Sequence, residues 1–147
     1  MPKRIIVREA VPEDYLSLTE LAWQLGHQAE SERLKTRLVD LLNRDDHKLF
    51  VAETGGKVAG WVHAFLYRPL HKECVVEIAG LVVDEKYRKM GIGRRLLAVT
   101  EDWARTQDCT RLSLCSNVKR EEAHKFYQAL GYQRTKTQYT FTKELTK

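Results

Sequence analysis

The chain predicts a mixed α/β (α+β) fold, a central mixed sheet with helices on both faces, and three observations carry that expectation. Strand-like and helix-like stretches alternate along the sequence, the pattern of helices layered on a sheet. Gly55-Gly56 sits between two strand patterns as a hairpin turn, so part of the sheet is antiparallel. Residues 74–83 form a near-continuous apolar run, the pattern of a strand buried on both faces.

Taken in order, residues 3–9 read as the first strand. Pro12 opens a helix with Leu18, Leu21, Ala22 and Leu25 on one face, and Gly26 is its stop. Residues 26–30 are a polar connection in which His27 is a loop histidine that could line a substrate pocket. A second helix carries Leu34, Leu38, Leu41 and Leu42. Strands at 49–52 and 58–67 flank the Gly-Gly turn; His63 in the second is expected to be a satisfied sheet histidine. Gly80, inside the apolar run, suggests a bulge or a close backbone approach. The helix after residue 91 has a core stripe of Leu96, Leu97, Thr100, Trp103 and Ala104. A strand at 111–115, a helix at 121–130 ended by Gly131, and a closing pair of strands at 132–134 and 138–142 complete the reading.

With 147 residues the chain is expected to form one domain, 1–147, with one core. Its 43% apolar and 31% charged residues describe a soluble globule. No apolar run approaches the ~20 residues that span a bilayer. The opening residues 1–8 are too charged for a signal peptide, so a cytoplasmic protein that does not engage membranes is expected. The three cysteines, Cys74, Cys109 and Cys115, have no Cys-x-x-Cys spacing, which argues against zinc and disulfide frameworks and for reduced thiols. The histidines are scattered without ligand spacing, so no metal is implied. A net charge of +5 would serve nucleic acid or a polyanionic cofactor. Basic residues concentrate beside the glycines described next and no nucleic-acid signature accompanies them, so the cofactor is preferred and no nucleic acid is expected.

The stretch that organises the chain runs from Leu81 to Leu97. Leu81, Val82 and Val83 end a strand, a charged turn follows, and Gly91 and Gly93 open an amphipathic helix. The first N–H groups of a helix have no intrahelical partner, and the dipole places positive charge there. With Arg88, Lys89, Arg94 and Arg95 these donors suit a phosphate or pyrophosphate. A tight turn with a solvated basic face is the alternative. A P-loop is excluded because Gly93 is followed by Arg94-Arg95, a dinucleotide fingerprint because Leu96 replaces its third glycine, and a kinase loop because its downstream motifs are missing.

The stretch resembles the acetyl-CoA loop of the GNAT acyltransferase superfamily, with Arg88, Gly91 and Gly93 at the Arg-x-x-Gly-x-Gly positions. Glu85 stands where many members have Pro. Ala123-His124-Lys125-Phe126-Tyr127, followed by Gly131-Tyr132, resembles a second block of the family. Gln24-Leu25-Gly26 and Arg120 through Tyr127 resemble small bacterial aminoglycoside 6′-N-acetyltransferase-like proteins in particular. The resemblance implies a GNAT-type sheet in which two adjacent parallel strands, here 74–83 and 111–115, splay apart to admit the pantetheine arm of acetyl-CoA. It implies that backbone amides of Met90, Gly91, Ile92, Gly93 and Arg94 hold the pyrophosphate beside Arg88 and Lys89. Leu81, Val82 and Val83 would pair with pantetheine, and a backbone N–H near Leu81 or Val82 would polarise the thioester carbonyl. Asn117 and Tyr127 would complete the cofactor site, with Tyr127 protonating the departing thiolate.

The residues add two points of their own. Tyr127 shares a helical stripe with Ala123, Phe126 and Leu130, so it is a core residue or an acid. Glu77 is a carboxylate within the apolar strand, costly to bury unless paired or functional. A general base for the attacking amine, an internal ion pair and a solvated edge are its three readings. Cys115 is assigned to packing. Together with the resemblance these imply an acetyl-CoA-dependent N-acetyltransferase acting by direct attack of a primary amine, expected to be a small cationic one because Glu30, Asp40, Glu73 and Glu77 lie in or near segments that, by resemblance, surround the acceptor mouth. Protein or peptide amines, a non-catalytic CoA-binding module and a nucleic-acid-binding domain remain as alternatives, and a homodimer is left open.

Overall fold

Five strands form one sheet in the order β1-β2-β3-β4-β5: β1 (Ile5–Glu9), β2 (His47–Thr54), β3 (Lys57–Tyr67), β4 (Val75–Val83) and β5 (Leu112–Leu114). The computed structural model describes residues 4–146, so Lys3 of the expected first strand lies outside the described residues. β1 to β4 pair antiparallel in succession, with β2 and β3 joined through Gly55-Gly56 as expected. β4 and β5 pair parallel. Their connection runs through α3 (Ile92–Thr106). Two compact units meet in sequence between Leu114 and Cys115, and each is described by itself.

In the first unit, helices cover both faces of the sheet. α1 (Tyr15–Gln24) and α2 (Ser31–Leu42) lie on one face. There Leu18, Leu21 and Leu38 pack with Leu49, Val51 and Val82, and Trp61 joins them. The expected stop of α1 forms as a Schellman closure: Gly26 N–H donates to the Trp23 carbonyl and His27 N–H to the Ala22 carbonyl. On the opposite face Ile92 and Leu96 of α3 pack against Ala52, Ala59 and Val62. Burying a large aliphatic side chain stabilises by about 1.5–3 kcal/mol. Ile92 and Leu96, each 1% exposed or less, therefore pin the start of α3 to the sheet.

β4 differs from the expectation in one respect. Its outer half is not buried on both faces: Ala79 is exposed, and Glu77, Gly80, Leu81 and Val83 are half-buried. The β4–β5 ladder spans only Val76 to Ile78. β4 runs on for another strand-half with no β5 beside it, which opens one of its edges. Gly80 lies at the expected bulge. Ile78 pairs with Ala64 and Gly80 with His63, leaving Ala79 as the extra residue.

The second unit contains α4 (Glu121–Ala129), whose end at Gly131 follows the same closure as α1. The closing strands expected at 132–134 and 138–142 do not form: the described residues after α4 hold no strand. Tyr139 and Phe141, which gave the alternation, are 90% and 93% exposed. Alternation supplies propensity only, and a strand exists where a neighbouring edge accepts its hydrogen bonds.

Candidate active site

The turn from β4 into α3 builds a cradle out of backbone. Gly91 is the N-cap of α3 with φ of +82°, a conformation that costs any residue bearing a Cβ. Lys89 is also in the left-handed region, at φ +64°. No side chain caps α3 and no acid lies in its first turn, so the free N–H groups keep their positive potential in a helix of 15 residues. Arg88, Lys89, Met90 and Arg94 are exposed around them. The Arg88 guanidinium reaches the Val83 carbonyl at 3.4 Å. Arg95 does not join this group: its guanidinium donates to the Ile5 carbonyl at 2.6 Å and ties α3 to β1. Ile92 can contribute only backbone, because its side chain is core.

A contact that the sequence did not disclose holds this turn in place. Gln24, at the end of α1, accepts a hydrogen bond from Glu85 N–H at 3.0 Å and donates to Asp84 Oδ1 at 3.4 Å. Asp84 is buried and also accepts from Lys86 N–H, capping the short 3-10 turn Glu85–Tyr87. These partners are some 60 residues apart, and no local spacing announces them.

On the α1/α2 face lies a pocket of about 420 Å³. Its floor is Leu49, Trp61 and His63; its walls are the α1–α2 connection at His27 and Gln28, and α2 at Leu34 and Arg37. Trp61 links this pocket to β4. A Cβ placed on Gly80 would meet the Trp61 indole at 3.0 Å, so the ring rests directly on the bulge. The indole N–H is buried without a hydrogen-bond partner. His63 Nε2 and His47 Nδ1 lie 2.8 Å apart, and burial with the neighbouring His47 pushes His63 down to about 4. At neutral pH its imidazole is uncharged. His63 thus has its expected partner, and it also lines the pocket. A second depression of about 580 Å³, near Pro12, His47 and Trp103, includes no residue of β4.

Glu77 sits on β4 opposite Phe65 and beside Ser113 of β5, on the same sheet face as Trp61 and His63. No ion pair engages it among the described residues, which removes the internal ion-pair reading. Glu30, Asp40, Glu73 and Glu77 do not line the pocket. In the second unit, Tyr127 packs edge-on to Phe126 and Tyr132. Burial raises its pKa, with Arg120 acting the other way, so the phenol keeps its proton at neutral pH. The Asn117 side-chain oxygen accepts from Lys119 N–H at 2.9 Å, in a turn leading to α4. Cys115 is exposed rather than packed; Cys109 is buried and, with Cys74 beside it, pushed up to about 11. All three thiols are free.

A model of the acetyltransferase (GNAT) family matches residues 13–132. The chain belongs to this family. It is an acetyltransferase of the GNAT type, and acetyl-CoA is its acyl donor. An aminoalkylphosphonate N-acetyltransferase of Salmonella typhimurium is 32% identical over 145 residues, covering 95% of this chain and 90% of the relative. An aminoglycoside N(6′)-acetyltransferase type 1 of Acinetobacter genomosp. 13 is 26% identical, covering 95% and 96%. Among solved structures, aminoglycoside N-acetyltransferase AAC(6′)-Iy in complex with CoA superposes with a TM-score of 0.88 over 99% of this chain and 98% of its own, at 19% identity. That likeness is one of fold, and it matches the GNAT sheet expected from the sequence. No helix among the described residues is long and apolar enough to cross a membrane.

For this GNAT chain the cradle fits CoA: an uncapped helix start, a left-handed glycine and exposed cations are what a pyrophosphate requires. The open edge of β4 beyond Ile78 offers backbone groups to an extended arm. Sequence reasoning missed Trp61, Gln28 and Arg37 as pocket residues, since three separate elements supply them.

Proposed function

We propose that the protein transfers the acetyl group of acetyl-CoA to the primary amine of a small molecule by direct attack on the thioester. The observation that carries this reading is the continuity between the pocket and the bulge of β4, where the Trp61 ring lies on Gly80. An amine in the pocket would meet the carbonyl carbon along the open edge of β4. The C–N bond forms, the C–S bond breaks, and the thiolate takes a proton from Tyr127. Glu77 accepts the proton of the amine, directly or through water. A phenol kept protonated and a carboxylate free of ion pairs suit those two tasks. Met90, Gly91, Ile92, Gly93 and Arg94 would bind the pyrophosphate through backbone, with Arg88 and Lys89 beside them. Leu81, Val82 and Val83 would pair with pantetheine, and Asn117 would contribute its amide N–H2.

The acceptors that give the relatives their names, aminoglycosides and aminoalkylphosphonates, are both amines. A cationic acceptor, aminoglycoside- or polyamine-like, is a second reading favoured by the aminoglycoside relatives. The acidic mouth expected for it is not what lines the pocket. Incubation with acetyl-CoA and a panel of small amines, lysine peptides and peptides with free N-termini tests the proposal. Acetylated small amine and stoichiometric free thiol are expected. Product from peptides alone would overturn the small-molecule assignment, and CoA binding without product from any amine would leave a binding module. The site is expected to lie within a single acetyltransferase domain.

A further inference from the structure

The pocket on the α1/α2 face has a one-sided inventory. Its polar side chains are His27, Gln28, Arg37, Trp61 and His63, and no carboxylate is among them. All five carry N–H groups, and one of them, Arg37, carries a full positive charge. Arg37 forms no ion pair among the described residues, although Arg33, one turn earlier on α2, pairs with Glu30, the residue capping that helix, at 3.5 Å. The Trp61 indole N–H is buried and without an acceptor. His63 is uncharged at neutral pH and adds no positive charge of its own.

A polycation would bring positive charge against Arg37 in a half-apolar cleft, with no carboxylate to receive it. An anion reverses each of those terms. It pairs with a guanidinium, whose planar fork matches carboxylate and phosphonate oxygens. It also supplies oxygen acceptors for the side-chain N–H groups of His27 and Gln28 on the pocket wall. The remaining wall, including Leu34, Leu38 and Leu49, is apolar and suits a short methylene chain. The floor then leads to Trp61 and the bulge at Gly80.

We propose that the acceptor is a small amine that also carries an anion, a phosphonate, phosphate or carboxylate joined to the primary amine by a short apolar chain. Arg37 is the counter-ion, and the amine end points toward Trp61 and β4. This rests on the chain's acting as a small-amine acetyltransferase. Arg37 sets which amine is used rather than the chemistry of transfer.

The test compares 3-aminopropylphosphonate, β-alanine, propylamine and putrescine in a thiol-release assay on the full chain at saturating acetyl-CoA. The anionic amines should exceed propylamine in kcat/KM by at least ~10-fold, and putrescine should not. Arg37→Gln should lower the phosphonate-to-propylamine ratio by ~10–100-fold, expressed in KM, as loss of a charged hydrogen bond implies. Calorimetric binding of 3-aminopropylphosphonate should weaken in the same variant. A preference for putrescine, or an unchanged ratio in Arg37→Gln, overturns the anion assignment and leaves the transferase intact. Absence of product from all four amines, without calorimetric binding of the phosphonate, overturns it together with the small-amine reading.

Discussion

The cradle at the start of α3 and the pocket under α1 and α2 both offer nitrogen donors, but they draw them from different sources. The cradle uses backbone N–H groups whose direction is set by Gly91 and by the anchored side chain of Ile92. The pocket uses the side chains of His27, Arg37 and Trp61 on separate elements. Backbone donors tolerate replacement of most side chains around them, whereas side-chain donors change with every substitution. In the proposed function the donor end is thereby fixed by geometry and the acceptor end by residue identity. One fold can then keep acetyl-CoA while its amine varies.

The largest expected effect belongs to neither region. Tyr127→Phe keeps the packing against Phe126 and Tyr132 and deletes only the hydroxyl; kcat should fall ~10²–10⁴-fold. The thermal shift given by CoA and the KM for the amine should stay as they are. Turnover near wild type would return Tyr127 to the core-residue reading. Glu77→Gln follows, with a fall of ~10²-fold at neutral pH and loss of the acid limb of the pH–rate profile. His63 sharpens this test: it shares the sheet face and titrates near 4. An acid limb that persists near that pH in Glu77→Gln would name His63 as proton acceptor instead.

Gly91→Val breaks the comparison between the regions directly. A β-branched residue at positive φ costs about 1–3 kcal/mol. That strain and the added bulk should weaken CoA ~5–150-fold, read as a lost thermal shift. Amine selectivity among the remaining turnover should not move. A changed selectivity would show that cradle and pocket are not independent.

The smallest effect is on stability and lies away from both. Burial opposes ionisation of Asp14, yet Arg8, bonded to it at 2.9 Å, and Val11 N–H hold its carboxyl below the usual range. Because the folded pKa is depressed, this contribution is present above the unfolded pKa and is lost as pH falls through the folded one. Asp14→Asn should cost about 1–2 kcal/mol at pH 7, a modest figure because Arg8 is a third exposed. Urea unfolding of the variant should also show a shallower loss of stability between neutral and acid pH. Equal slopes for both proteins would assign the acid sensitivity elsewhere.

What the sequence disclosed follows the same division. The β4–turn–α3 segment was legible because its determinants are contiguous: Gly80 marks the bulge, and Gly91 the left-handed cap. Strand and helix periods in the first unit also report burial locally, apart from the outer half of β4, where the open edge depends on how soon β5 ends. The pocket was not legible, since Gln28, Arg37 and Trp61 meet only after α1, α2 and β3 have packed. Gln24 and Asp84 meet for the same reason. The strands expected at 132–142 failed in another way: Tyr139 and Phe141 alternate, but alternation cannot name a hydrogen-bonding neighbour.

The extra residue in β4 has an arithmetic consequence. Side chains along a strand take opposite faces by parity, so Glu77 and Val82 would fall on opposite faces of an unbroken strand. Ala79 resets the count. Glu77 opposes Phe65, Gly80 opposes His63 and Val82 opposes Trp61, all on one face, while Ile78 and Leu81 both turn toward α3. Odd and even positions thus trade places halfway along the strand. Deleting Ala79 would let Gly80 follow Ile78 directly and still oppose His63, leaving Leu81 and Val82 on their faces. Closing the bulge with every residue kept would instead send Leu81 to the α1/α2 face and Val82 against α3. The faces beyond the bulge survive its loss only if a residue is lost with it.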